Sequence, residues 1–202
     1  MNSMVRNIEK ATVTPAVSAE SFRGAMRHLA GGVSVITAGQ GADITGMTVT
    51  SVTSLAVEPA TLVVSVNRQS SSWPRISKVG AFGVNILGSD HVEIAKRFAG
   101  IGGLKGMERF AGAEWTTLVS GVPLLAGASV ALDCEVEHVV ERHSHMLVIG
   151  RVLDVLTSEG KGALSYWQGQ YIPLNPGKGA PDVAEAQAVG QDVPTARALW
   201  GV

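Results

Sequence analysis

Cysteine is nearly absent from this chain, which contains only Cys134 among 202 residues. A single thiol excludes an internal disulfide framework and any metal cluster built from several cysteines. Cys134 falls on the apolar side of an alternating segment, which favours an inert core residue over a reactive nucleophile.

Charge of either sign is also scarce, because charged residues make up 16% of the chain and the formal net charge is -1. Binding to nucleic acid through phosphate neutralisation needs a clustered cationic surplus, so we predict no nucleic-acid partner. The apolar fraction of 46% is too high for a disordered chain and is enough for a sizeable core.

Long apolar runs are missing as well. No run approaches the roughly 18 residues of a membrane-spanning helix, and charges interrupt residues 1–19, where a signal peptide would need an apolar stretch. We therefore predict no membrane partner and a cytoplasmic location.

Several catalytic motifs do not occur. The chain lacks His-Glu-x-x-His and Gly-x-Ser-x-Gly, which excludes metalloproteases and serine hydrolases of those types. The glycine-rich residues 100–106 match neither a dinucleotide fingerprint nor a Walker loop, and they predict a flexible loop. His143 and His145 share a strand face, but no carboxylate or thiol is placed to complete a metal site, so we predict no metal.

The patterns that are present predict three helices. Ser18 can cap a helix that ends at the two glycines at 31 and 32. A second helix is predicted over residues 72–79. A third begins at Asp90, with Glu93 in capping-box spacing, and ends near residue 100.

Short runs rich in β-branched residues predict strands at 33–37, 45–53, 61–66 and 81–87. Residues 130–137 alternate between apolar and polar side chains, as a strand with one wet face does. Residues 146–156 are apolar on both faces, which suggests that a second subunit packs against them. The order of elements predicts a mainly β protein, an antiparallel barrel with a few peripheral helices.

Composition divides the chain into three parts. We predict a flexible arm over residues 1–17, one domain over 18–174 and a tail over 175–202, in which 196–200 is a candidate docking segment.

Hydroxyl side chains crowd residues 46–55 and 61–67, and three serines at 70–72 open the second helix. A helix N-terminus with serine hydroxyls and with Arg68 and Arg75 nearby can bind a phosphate without a glycine-rich loop. From these residues alone, ligand binding and the ordinary use of Ser and Thr in strands and caps both remain open.

Over residues 18–174 the chain resembles the flavin reductase-like family, the small reductase components of two-component flavin-dependent monooxygenases. The resemblance rests on the order and spacing of segments rather than on one diagnostic motif. These segments are 22–37, 46–55, 65–67 with 70–72, 82–87, 95–99, 121–124, 132–135, His145 with 149–152, and 169–171.

The resemblance implies a split, Greek-key β-barrel that forms a homodimer with one flavin per subunit. It implies hydride transfer from NADH or NADPH to FMN or FAD, and supply of the reduced flavin to a partner monooxygenase. The cofactor-binding residues it implies are Met47, Thr48, Val49, Thr50 and Ser51 along the ring system, Ser65, Val66, Asn67, Ser70, Ser71 and Ser72 at the ribityl and phosphate groups, and Asn85 and Phe98 closing that side.

His145 is the catalytic residue that the resemblance implies, on the nicotinamide side of the pocket. Family members usually carry Gly-Asp-His where this chain carries His143, Ser144 and His145, so only the last residue matches. A surface histidine is the alternative interpretation of His145. Two other functions stay open: a flavin- or haem-binding module without NAD(P)H turnover, and a reductase of another large cofactor such as a corrin.

Overall fold

The computed structural model of the chain describes residues 16–158 and 162–175. Most of the predicted arm and nearly all of the predicted tail, including residues 196–200, lie outside these described residues. None of the helices in the described ranges is long and apolar enough to cross a membrane.

The described chain is mainly β-structure. Its helices are α1 (Ala19–Met26), α2 (Ser72–Val79) and α3 (Val92–Phe98), with a 3₁₀ turn at Gly106–Phe110. Its strands are β1 (Gly31–Gly32), β2 (Ser34–Ala38), β3 (Thr45–Val49), β4 (Thr53–Ala56), β5 (Thr61–Asn67), β6 (Ala81–Ile86), β7 (Trp115–Thr116), β8 (Leu124–Leu125), β9 (Val130–Arg142), β10 (His145–Thr157), β11 (Ala163–Trp167) and β12 (Gln170–Leu174).

Seven strands form one antiparallel sheet in the order β3-β2-β6-β9-β10-β5-β4. Strands distant in sequence are neighbours in it, because β2 pairs with β6 and β5 pairs with β10. The two edge strands, β3 and β4, are joined only by residues 50–52, so the sheet curves into a barrel that stays open between them. This topology confirms the predicted mainly β, antiparallel split barrel.

A smaller sheet, in the order β1-β11-β12, adjoins the barrel, and β7 pairs with β8. The main chain at Val33 connects the two larger sheets: its N–H donates to the carbonyl of Leu164 at 2.9 Å, and its carbonyl accepts from the N–H of Leu87 at 3.0 Å.

Apolar side chains bury both faces of the central strands. An inner cluster lines the barrel, with α2 at its end, and consists of Ile36, Ala38, Leu62, Val64, Val66, Ile76, Phe82, Val84, Cys134, Met146 and Val148. An outer cluster packs beneath α3 and the 3₁₀ turn, and its largest members are Phe98, Phe110, Leu87, Leu124, Leu125 and Leu164.

The first two predicted helices are present, although the first ends at Met26 and not at the glycines at 31 and 32, because residues 27–29 form turns. The Ser18 side chain accepts a hydrogen bond from the N–H of Ser21 at 3.1 Å, as an N-cap does, and α2 covers the predicted residues 72–79.

The predicted start of the third helix at Asp90 is wrong, because His91 occupies the N-cap position of α3. The Nδ1 atom of His91 accepts a hydrogen bond from the N–H of Gly88 at 3.1 Å, which holds residues 88–91 in a turn. The helix therefore begins after this turn, and the predicted capping box with Glu93 does not form there.

The predicted strand 45–53 is divided in two, because β3 ends at Val49 and β4 begins at Thr53. The hydroxyl of Ser51 accepts from the N–H of Ser65 at 3.3 Å and donates to its carbonyl at 3.2 Å. These side-chain contacts take the place of a β-ladder, and the chain crosses from one edge of the sheet to the other.

The two faces of β10 differ in burial within one chain. Met146 and Val148 face the inner cluster, whereas Leu147, on the outer face, is 38% exposed. An apolar side chain on this face is thus uncovered, and the second subunit expected to cover it stays a prediction.

Candidate functional site

The outer edge of β3 has main-chain groups that no neighbouring strand uses. β3 is the last strand of its sheet, and the Nη1 atom of Arg109 donates to the carbonyl of Gly46 at 2.6 Å from the outer side. Main-chain groups alternate along an antiparallel strand, so the N–H and C=O of Thr48 point to the same outer side. Such an edge can bind the polar rim of a flat heterocycle.

A pocket of about 240 Å³ opens beside this edge, and we call it the β3 pocket. It is lined by Thr48, Val49, Thr50, Ala99, Tyr166 and Tyr171. The hydroxyl of Thr48 donates to the carbonyl of Ala95 at 2.7 Å, which fixes β3 against α3. Of the residues predicted to contact a cofactor, Thr48, Val49 and Thr50 lie together here.

Two tyrosines form the opposite wall of the β3 pocket, and our sequence reasoning did not include them among the site residues. The rings of Tyr166 and Tyr171 pack edge to face, with centroids 5.1 Å apart. Burial, and secondly the charge of an ionised Tyr166, raises the pKa of Tyr171. Its hydroxyl therefore stays protonated at neutral pH and can donate a hydrogen bond. The sequence signal that could have identified Tyr171 is the segment 169–171, which is part of the family resemblance.

Phe98 supports the pocket from behind rather than facing it. It is 2% exposed and packs against the rings of Phe110 and Trp115. A Cβ on Gly46 would lie 2.7 Å from its ring, so glycine at 46 permits β3 to lie against it. Because its side chain has almost no exposed surface, any role of Phe98 in closing the cofactor site acts through the position of β3, and that role stays a prediction.

Asn85 is likewise a structural residue of the fold. It is fully buried, its Nδ2 atom donates to the carbonyl of Val35 at 2.9 Å, and its Oδ1 atom accepts from the N–H of Leu125 at 2.6 Å. These groups are used inside the protein, and its predicted contact with a cofactor stays a prediction.

The predicted residues on β5 are mostly engaged with the protein itself. Ser65 exchanges its main-chain hydrogen bonds with the Ser51 hydroxyl, and the side chain of Val66 is buried in the inner cluster. Met47, on β3, is half-buried against the same cluster. The side chains of Val66 and Met47 therefore face the barrel core, and the predicted contact of both residues with a cofactor stays a prediction.

The segment after β5 lies next to the start of β3. The hydroxyls of Ser71 and Thr45 are 3.0 Å apart, and that of Ser70 accepts from the N–H of Trp73 at 3.3 Å. The Oδ1 atom of Asn67 accepts from the N–H of Gln69 at 2.9 Å. The structure thus brings the predicted phosphate segment beside the β3 strand.

Ser72 is the exception within this segment. Its hydroxyl is buried and has no hydrogen-bond partner in the described part of the chain. Buried polar atoms in proteins are normally paired, and because Ser72 has no exposed surface its predicted contact with a phosphate stays a prediction.

The two arginines predicted to assist phosphate binding already have carboxylate partners. Arg68 forms an ion pair with Glu141, and Arg75 contacts Asp43 at 2.8 Å while also donating to the carbonyl of Ser71 at 2.9 Å. Both ion pairs are solvent-exposed and therefore weak, so either arginine can exchange its carboxylate for a phosphate, and the cationic contribution stays a prediction.

His145 begins β10 and pairs with Asn67 of β5 in the sheet register. Its Nδ1 atom is 2.9 Å from the hydroxyl of Ser144, within a tight turn in which His143 has a φ of 51°. His145 does not line the β3 pocket. Its nicotinamide contact stays a prediction.

Cys134 is a core residue, as the sequence indicated. It is fully buried, and burial together with the charge of Asp133 raises the pKa of its thiol from 9.0 to about 12. Within residues 16–158 and 162–175, no group of three or more His, Cys, Asp or Glu side chains could bind a metal ion.

Comparison with known proteins adds family and fold relatives. The family model described as flavin reductase like domain matches residues 26–175. The chain is 35% identical over 156 residues to the FMN reductase (NADH) RutF of Cronobacter sakazakii, which covers 77% of this chain and 93% of that protein. It is 39% identical over 154 residues to RutF 2 of Methylorubrum extorquens, covering 75% of this chain and 87% of that protein.

Solved structures show the same architecture. BorF, the flavin reductase component of a bacterial two-component tryptophan halogenase, is 28% identical with a TM-score of 0.72, covering 78% of this chain and 99% of that one. The styrene monooxygenase flavin reductase of Pseudomonas putida S12 is 31% identical with a TM-score of 0.66, covering 75% of this chain and 96% of that one.

Proposed function

The chain belongs to the flavin reductase-like family, and we propose that it reduces FMN with NADH and supplies the reduced flavin to a separate monooxygenase component. One observation carries this proposal: Thr48, Val49 and Thr50 line a single pocket at the open edge of β3. The names of the curated relatives support FMN and NADH as the reacting pair. The two-component systems of the structural relatives support a monooxygenase as the recipient.

The residues present fit a flavin at this place. The outward main-chain groups of Thr48 match the donors and acceptors on the rim of an isoalloxazine ring, and Val49 and the two tyrosines offer apolar surface. The exposed hydroxyl of Ser71 at the start of α2, 3.0 Å from that of Thr45, suits a phosphate.

A bound flavin supplies the redox chemistry by accepting a hydride from reduced nicotinamide, so no side chain has to ionise. The protein's part is to position the reactants and to offer fixed donors. The N–H of Thr48 is held in place by β3 and by the Thr48–Ala95 hydrogen bond, so it can stabilise negative charge without reorganisation. The protonated hydroxyl of Tyr171 is a second fixed donor in the same pocket.

The proposal includes a homodimer formed through the outer face of β10. Leu147 exposes 38% of its apolar side chain on this face, although the strand lies in the middle of the sheet. Sedimentation equilibrium should give twice the mass of one chain, and Leu147→Asp should shift the protein to the monomer. A wild-type protein that sediments as a monomer contradicts this part of the proposal.

The function is tested by mixing the purified protein with FMN and NADH and following the nicotinamide absorbance. We expect NADH oxidation that requires both protein and FMN, with parallel reactions containing FAD or NADPH to rank the substrates. Quenching of FMN fluorescence without NADH oxidation would contradict the proposal and favour a flavin-binding module without turnover.

A further inference from the structure

A second and larger cleft adjoins the β3 pocket, and we call it the α1 cleft. It has a volume of about 450 Å³, within the range of small-molecule sites, and lies between α1 and the turn that joins β11 to β12. The cleft and the pocket share Thr50 and Tyr166, so one elongated ligand can extend from one into the other.

The charged residues that line the α1 cleft are both cationic. Arg23 and Arg27 are four residues apart on α1, which places them on one face of the helix, and no acidic residue lines the cleft. Within the described ranges, neither forms an ion pair, in contrast to Arg68 and Arg75. Two like charges at this spacing repel each other, and a bound anion removes that repulsion.

The walls of the α1 cleft are connected by hydrogen bonds. The N–H of Gln168 donates to the carbonyl of Arg27 at 3.1 Å, and the indole N–H of Trp167 donates to the carbonyl of His28 at 3.2 Å. These bonds hold the β11–β12 turn against the end of α1. They also occupy carbonyl groups at the helix C-terminus that would otherwise repel an anion.

The cleft also offers an aromatic surface. Trp167 is 43% exposed although its N–H is fixed, so its ring is available for stacking against a flat base. Two arginine side chains suit a diphosphate, because a guanidinium binds phosphate oxygens through paired hydrogen bonds.

We propose that the α1 cleft binds the adenosine diphosphate half of a dinucleotide, with Arg23 and Arg27 on the diphosphate and Trp167 on the adenine. This inference rests on the proposed function, in which the adjoining β3 pocket takes the redox-active ring. NADH and FAD both contain this half, whereas FMN lacks it.

The first test measures binding of ADP to the purified full-length chain by titration calorimetry. The double variant Arg23→Gln with Arg27→Gln should bind ADP at least about tenfold more weakly than the wild type, because two charge-assisted contacts are lost. Lys78→Gln is the matched control: it removes an exposed positive charge on α2, outside the cleft lining, and should leave ADP affinity unchanged.

The substitutions should not disturb folding, because every residue of α1 is exposed. Thermal unfolding of the variants checks this. The pair Arg23→Lys with Arg27→Lys keeps the charge but loses the paired geometry, and an ADP affinity between those of the wild type and the Gln variant is expected. Equal ADP affinity in the wild type and the Gln double variant, or no ADP binding by the wild type, overturns the proposal.

A second experiment distinguishes the two sources of the ligand. If FAD occupies the cleft, the Gln double variant loses affinity for FAD but not for FMN. If NADH occupies it, the variant has a raised KM for NADH but an unchanged KM for reduced nicotinamide mononucleotide, which lacks the adenosine half. Either result supports the proposal. If the Gln double variant has the same FAD affinity and the same KM for NADH as the wild type, the proposal is overturned. A wild-type protein that binds ADP through these arginines yet oxidises no NADH would disprove the proposed function instead.

Discussion

The inner cluster of the barrel and the region around the β3 pocket differ in how fully the protein satisfies its own groups. Phe82 and Cys134, in the inner cluster, have no exposed surface. By contrast, α1 buries no residue, and the outer main-chain edge of β3 has no strand partner. The inner cluster therefore stabilises the fold, while the pocket region retains donors and surface for ligands. Substitutions in the inner cluster should accordingly change the free energy of unfolding, whereas substitutions around the pocket should change ligand affinity.

The largest effect is expected from Gly150→Val in the inner cluster. A Cβ at this position would lie 2.4 Å from Cζ of Phe82, and the buried ring has no space to move. We expect the free energy of unfolding to fall by about 3 kcal/mol, the upper end of the usual cost of overpacking a core. Chemical denaturation measures this change. Gly32→Val, where a Cβ meets no atom within 4 Å, is the control, and equal losses at both positions would refute the explanation.

Cys134 should make the interior sensitive to alkaline pH. The pKa of its thiol is about 12 in the folded chain, whereas an ordinary cysteine thiol has 9.0. Above about pH 9 the unfolded chain therefore binds fewer protons at this site than the folded chain does. The free energy of unfolding should therefore decrease as the pH rises through this range. Urea unfolding at several pH values measures this, and the free energy of unfolding of Cys134→Ala should decrease less steeply with pH than that of the wild type. The same pH dependence in both proteins would contradict a raised pKa at Cys134.

Ser71→Asp should weaken FMN binding without harming the fold. Ser71 is exposed at the N-cap of α2, where Asp is a good capping residue, but its charge would repel a phosphate. We expect at least a tenfold loss of FMN affinity, equivalent to about 1.4 kcal/mol, in a fluorescence titration. Ser71→Asn, with nearly the same shape and no charge, is the control, and riboflavin affinity should not change. Unaltered FMN affinity in the Asp variant removes Ser71 from the site.

The smallest effect is expected from His145→Ala. This residue is half-buried at the end of a hairpin, so its removal should leave the thermal midpoint and FMN affinity unchanged. If it contacts the nicotinamide, the KM for NADH should rise or the turnover fall by several-fold, in steady-state assays at saturating FMN. The control is His138→Ala, which removes an exposed histidine on β9 and should leave the kinetics with NADH as in the wild type. Identical kinetics for His145→Ala and wild type would leave His145 as a surface histidine.

Local patterns predicted the elements whose signals lie within a few residues. The Ser18 cap, the helix at 72–79 and the alternation at 130–137 all correspond to observed elements, since capping and face alternation depend on neighbouring residues. The start of the third helix was predicted wrongly at Asp90, because the His91 side chain accepts a hydrogen bond from the N–H of Gly88. Capping-box spacing does not reveal this competing local interaction.

Contacts between distant residues decided where the predicted site residues lie in the fold. Ser51 binds the main chain of Ser65 and ends the predicted long strand, while Asn85 joins Val35 to Leu125 inside the fold. Neither pairing has a signal in the sequence around either residue. Tyr171 was missed for a similar reason: it lines the β3 pocket together with residues of β3, which are distant from it in sequence.

Periodicity and residue order are properties of the chain, so the mainly β architecture, the family and the hydroxyl-rich segments that build the pocket could be predicted from the amino-acid order. Which of those side chains remain available depends on the assembled fold. Arg68 and Arg75 are paired with carboxylates from distant segments, whereas Arg23 and Arg27 have no such partner among the described residues. The physical reason is that a side chain's free hydrogen bonds and net charge depend on which distant groups the fold brings within a few ångströms of it.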